Sequence, residues 1–80
     1  MNISPKMVEI DKDQLWVELN DGRTLDVPLA WFPRLMNATP EQLEDYELSP
    51  RGIHWDFLDE DISIEGLLAE LHKREKHTNN

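Results

Sequence analysis

Asp59, Asp61, Ser63 and Glu70 stand at positions 1, 3, 5 and 12 of a calcium-loop spacing, in which side-chain oxygens surround a hard divalent cation. The pattern breaks at its sixth position. The sharp turn there needs glycine, but the chain has Ile64, which opens an apolar helical stripe. These acids therefore read as charge favouring a helix N-terminus, and no metal is expected. His54, His72 and His77 could serve metal or proton chemistry, yet the last two are five residues apart, whereas four aligns two ligands on one helix face. His77 falls in an expected tail. His54, between Ile53 and Trp55, reads as a structural or hydrogen-bonding side chain of a strand. Its rival assignment is a small ligand-binding or enzymatic domain around His54, Trp55, Arg34 and Asp56, which requires a pocket at those residues. No serine or threonine stands in a recognisable nucleophile turn, and Gly22, Gly52 and Gly66 are too far apart to form a phosphate loop. The absence of cysteine excludes disulfides, thiolate nucleophiles and cysteine-ligated metals. Neither catalytic residues nor a cofactor is expected, and recognition is left as the chemistry to explain.

Charge is the first recognition signal. Seventeen acidic residues against eight basic ones give a formal net charge of −9, which opposes binding to nucleic acid and to anionic membranes. The excess is local. Glu41 to Glu65 carries nine acids and one base, Arg51, while Lys73, Arg74 and Lys76 outnumber Glu75 in the tail. A solvated acidic surface with a basic helix end is one reading. The other is an acidic face that docks a basic protein partner. The candidate partner-binding residues are Trp16, Trp31, Arg34, His54, Trp55, Asp56, Asp59, Glu60 and Asp61. Trp16 alternates away from the main apolar face, so it meets either a partner or another part of its own chain. Trp31, Phe32 and Trp55 read as core or core-edge residues. A homodimer through a sheet edge or the Trp16 face is compatible with these readings.

The elements that hold these residues belong to one small domain, expected over 1–72, with a polar, frayed tail over 73–80. At 80 residues, such a domain buries about 60% of the surface of its unfolded chain and depends on good packing. Lys6 to Asp11 and Gln14 to Leu19 read as strands joined by a polar turn. Leu15, Val17 and Leu19 alternate, as do Leu25, Val27 and Leu29. A two-residue turn at Asp21-Gly22 would put these sets on opposite faces; a three-residue loop, Asn20-Asp21-Gly22 with Gly22 left-handed, pairs Val17 with Leu25 and Leu15 with Val27. Short helical turns are expected near 31–36 and 40–45. Pro33 opens the first and Asn37 stops it; Thr39, Pro40 and Gln42 supply an N-cap, N1 and capping box for the second, with Leu43 its first buried position. A second hairpin turns at Ser49-Pro50-Arg51-Gly52, between Tyr46-Glu47-Leu48 and Ile53-His54-Trp55. Ile64, Leu67, Leu68 and Leu71 form the stripe of an amphipathic helix capped by Ser63 or Asp61. The expected fold is α+β, a mostly antiparallel sheet of four to five strands in two hairpins, with a C-terminal helix across its apolar face.

Five segments occur together in order: Asp21-Gly22-Arg23; Val27-Pro28-Leu29-Ala30-Trp31-Phe32-Pro33-Arg34-Leu35; Ala38-Thr39-Pro40-Glu41-Gln42; Gly52-Ile53-His54-Trp55; and Leu58-Asp59-Glu60-Asp61-Ile62-Ser63-Ile64-Glu65-Gly66-Leu67-Leu68. From Lys6 to Leu71 the chain resembles the bacterial domain-of-unknown-function family 2442. The resemblance implies a small α+β domain without established activity or catalytic residues. In longer relatives the domain precedes a helix-turn-helix DNA-binding domain, and this chain is expected to carry the first domain alone. The resemblance also implies a neighbouring gene for another small protein, in an arrangement like a toxin-antitoxin pair, which makes partner binding a natural role. Two positions depart from the family pattern: Ala30 stands where serine is usual, and Asp56-Phe57 follows Trp55 where a proline is common. Met1 to Ile10 lacks the apolar run of a signal peptide, and a cytoplasmic location is expected.

Overall fold

A computed structural model describes residues 3–78. The alternating segments form β1 (Pro5–Asp11), β2 (Gln14–Leu19) and β3 (Thr24–Pro28), an antiparallel sheet in the order β1-β2-β3. Leu15 lies opposite Val27 and Val17 opposite Leu25, the register the three-residue loop requires. Gly22 has φ +96° and the Leu19 N–H donates to the Arg23 carbonyl at 2.8 Å, closing that loop. The β1–β2 connection is a two-residue turn, Lys12-Asp13, with Lys12 at φ +50°. Val8, Leu15, Val17, Leu25 and Val27 therefore share one face and are buried there.

Beyond β3 the chain makes one 3₁₀ turn at Leu29–Trp31 and then α1 (Pro33–Met36). The single helical turn expected near 31–36 is thus broken in two at Phe32, with φ −128° and ψ 85°. Proline crowds the residue before it out of the helical region, so Pro33 starts a helix but forbids one running into it. Asn37 follows as the C-cap. Next comes α2 (Pro40–Glu44), where the Thr39 Oγ1 accepts from the Gln42 N–H at 3.1 Å and the Gln42 side chain accepts from the Thr39 N–H at 2.9 Å. The capping box is complete, but Leu43 is only half-buried.

A second antiparallel sheet contains β4 (Glu47–Leu48), β5 (Gly52–Trp55) and β6 (Glu60–Ser63) in that order. Leu48 pairs with Ile53 and Glu47 with His54 around the Ser49–Gly52 turn. The architecture is α+β as expected, with a correction: six strands in two sheets replace four to five strands in one. The added strand is β6, whose acids read as helix-terminal charge in the sequence. Its lone apolar residue, Ile62, gives no alternation to detect, yet it is buried opposite Ile53. The final helix, α3 (Ile64–Thr78), is capped by Ser63, whose Oγ accepts from the Gly66 N–H at 2.8 Å. It runs past the domain boundary placed at residue 72, while Asn79, Asn80 and the side chains from residue 75 on, His77 included, lie outside the described residues. Ile64 and Leu67 join Leu29, Leu35, Ile53, Trp55 and the inner residues of both sheets in one core. No helix among the described residues is long and apolar enough to cross a membrane.

Candidate partner-binding surface

The β5–β6 connection gathers most of the candidate residues. Its last ladder pair is Trp55 with Glu60, leaving Asp56, Phe57, Leu58 and Asp59 to make the turn. The Asp59 N–H donates to the Asp56 carbonyl at 3.2 Å, and Asp59 adopts the left-handed conformation at φ +53°, which aspartate tolerates better than most side chains. This geometry turns the carboxylates outward: the side chains of Asp56 and Asp59 are 95% and 94% exposed.

Arg34 and His54 sit against this turn. Arg34, from α1, donates from one guanidinium nitrogen to the Asp59 carbonyl at 2.5 Å, and the same nitrogen lies 3.8 Å from the Asp59 carboxylate. His54 points from the middle of β5 between two carboxylates, its Nε2 3.4 Å from Asp56 and its Nδ1 3.8 Å from Asp61. Glu47 lies across the other strand boundary from His54. All these groups are at the surface, where single ion pairs contribute little to stability, so most of their charge remains available to a partner.

The other candidates separate. Trp55 is fully buried and anchors the hairpin from within, which removes it from any contact surface. Glu60 pairs with Trp55 and is half-buried, apart from the outward row of His54 and Asp61. Trp31 is half-buried, and the Arg74 guanidinium covers its ring at 4.1 Å from the centroid, so that ring face is already taken within the chain. Trp31 and Asp61 meet along a groove of about 460 Å³ with Phe32, Ile62, Leu67 and Arg74. Trp16 is 37% exposed, stands on the outer face of the first sheet and belongs to no core cluster among the described residues.

Phe57 is the residue that sequence reasoning missed. It is 75% exposed, the most exposed large apolar side chain among the described residues. Alternation continued from Ile53 and Trp55 would point it inward; the chain turns at Asp56 before that parity applies. With Arg34, Pro33 and Leu58 it borders a groove of about 450 Å³. The residues of the calcium-like spacing are otherwise engaged, Asp59 with Arg34, Ser63 in the α3 cap and Glu70 with Arg74 at 3.1 Å. Among the described residues no three histidines or acids are grouped to hold a metal ion.

Comparison with curated proteins finds no match. A crystal structure of a protein of unknown function from Rhodospirillum rubrum is similar, with 28% sequence identity and a TM-score of 0.74, over 88% of this chain and 89% of that one. The likeness covers most of both chains, which agrees with a shared fold. The family model described as "Protein of unknown function (DUF2442)" matches residues 5–73, and the chain belongs to that family.

Proposed function

We propose that this protein is a non-enzymatic interaction or regulatory domain that engages a basic protein partner through the β5–β6 turn. The observation that carries this reading is Phe57, 75% exposed and standing between Asp56 and Asp59, whose carboxylates are almost fully solvated. An exposed aromatic ring beside fixed negative charge combines apolar burial with electrostatic selection of the partner. The paired-gene arrangement implied by the family resemblance supplies a natural partner, as in a toxin-antitoxin pair, within the cytoplasm.

The test is calorimetric titration with the product of the neighbouring gene. A complex that weakens as salt rises, and that Phe57→Ala abolishes or weakens, supports the reading. Screening acts over about 8 Å at physiological ionic strength, so the salt effect falls chiefly on the rate of encounter. No complex at low salt overturns it. Light scattering of the protein alone separates this docking from self-association, since a dimer formed through the same turn would compete with the partner.

A further inference from the structure

The first sheet has a second face, and the register fixes which residues stand on it. Across the three strands the outward rows are Met7, Glu18 and Thr24; Glu9, Trp16 and Asp26; and Asp11, Gln14 and Pro28. Trp16 is therefore the central residue, with a carboxylate opposite it on each neighbouring strand. Two further carboxylates stand in the outer rows, Glu18 two residues along β2 from Trp16 and Asp11 diagonally across on β1. No cation occupies a position of this grid. Lys6 reaches its edge from the β1 irregularity, 3.9 Å from Glu18, and Lys12 lies in the turn. Trp16 is 37% exposed and Met7 is 50% exposed.

We propose that this face binds an arginine side chain presented by a segment of another protein. A guanidinium laid on the Trp16 indole would meet the negative face of the ring and reach Glu9 or Asp26, since directly paired residues stand about 5 Å apart across a sheet. Arginine suits the site better than lysine because its planar head stacks on an aromatic ring while bonding a carboxylate in two places. The pattern has a precedent within the fold: among the described residues Arg74 sits on Trp31 while also bonding Glu70 at 3.1 Å. The Trp16 face offers the same ring-and-carboxylate pair without the arginine. Four carboxylates exclude an anionic ligand, and strands hold the positions more rigidly than a loop would. This site is separate from the β5–β6 turn and does not depend on it.

The experiment is a nuclear magnetic resonance titration of the whole chain with a blocked arginine tripeptide, compared with its neutral citrulline counterpart. The expected result is saturable movement of the Trp16 indole N–H and of the Glu9 and Asp26 amides with the arginine peptide alone. Trp16→Leu should weaken binding about tenfold, within the range of a cation–π contact made with partial loss of solvent. The double variant Glu9→Gln/Asp26→Asn preserves the ring and should weaken binding similarly while flattening its salt dependence. Equal response to citrulline, unchanged affinity in Trp16→Leu, or shifts confined to Asp56–Asp61 would each overturn the assignment. The last of these would leave the β5–β6 proposal standing. Concentration-dependent shifts at Trp16 without peptide would identify a second copy as the occupant and overturn the arginine site as well.

Discussion

The indole N–H of Trp55 donates to the backbone carbonyl of Leu43 at 3.0 Å, tying the inner side of β5 to the end of α2. Carbonyls in a last helical turn lack intrahelical partners, so the buried indole satisfies a group that would otherwise be left without a bond. Tyr46 packs beside it, ring centroids 6.0 Å apart, and its hydroxyl donates to the Val8 carbonyl at 3.3 Å. Trp55→Phe keeps much of the apolar volume and removes the donor, and should cost about 1–3 kcal/mol in urea unfolding. Trp55→Ala adds a cavity and should cost about 3–5 kcal/mol.

Gly52 lies opposite Ser63 at the start of the β5–β6 ladder, where a Cβ would overlap the Ile62 backbone carbonyl. A backbone atom in a paired strand cannot move aside as a flexible side chain can. Gly52→Ala should therefore destabilise the protein by about 3 kcal/mol or more. Gly22 has open space around its Cβ position but a φ of +96°, so Gly22→Ala meets only backbone strain, about 1–2 kcal/mol. Thermal unfolding of the two variants should show the larger loss at Gly52; the reverse order would contradict the close approach.

Legibility in the sequence followed the strength of local signals. Two alternating apolar runs around Asn20-Asp21-Gly22 admitted one register with a common buried face, and the first sheet adopts it. Thr39-Pro40-Gln42 names its cap by chemistry alone. In contrast, β6 has one inward apolar residue among acids, and its pairing with β5 is a long-range event that no local period encodes. The site was legible to the same extent. The register of the β2–β3 hairpin already puts Glu18 and Asp26 on the Trp16 face, whereas Glu9 and Asp11 join them only through the β1–β2 pairing. Phe57 was hidden because its exposure comes from a turn that interrupts strand parity.

Thr39 caps α2 while no residue of that helix is fully buried, so the helix leans on its cap more than on packing. Thr39→Ala removes the acceptor for the Gln42 N–H and should cost about 1 kcal/mol. Thr39→Ser retains the oxygen and should behave nearly as the parent in the same denaturant titration. Equal losses for both variants would point to the methyl group rather than the cap.

Phe57 makes a contrasting case, because so exposed a ring contributes little to folding. Phe57→Ser should change stability by no more than about 0.5 kcal/mol and should lower any tendency of the protein to stick to apolar surfaces. Unfolding curves and retention on a hydrophobic column measure the two effects separately. A large stability loss would place Phe57 in the core and remove it from partner contact.

Asp21 provides the pH dependence. Its carboxylate accepts from the Arg23 backbone N–H at 3.1 Å and from the Arg23 side chain at 2.8 Å, and these bonds hold its pKa below the ordinary carboxylate value. The unfolded chain lacks them, so the folded state binds the Asp21 proton less readily than the unfolded state. The resulting contribution is present above the unfolded value, about 3.9, and is lost as pH falls through the lower folded one. The group lies at the surface in an exposed loop, so its effect should be small and reduced by salt. Asp21→Asn should therefore be slightly less stable than the parent by a constant margin above about pH 5, and the margin should shrink as the solution is acidified below about pH 4. Paired denaturant titrations across that range measure it; a margin that grows on acidification would mean that Asp21 is bonded more strongly when protonated, against the geometry of the turn.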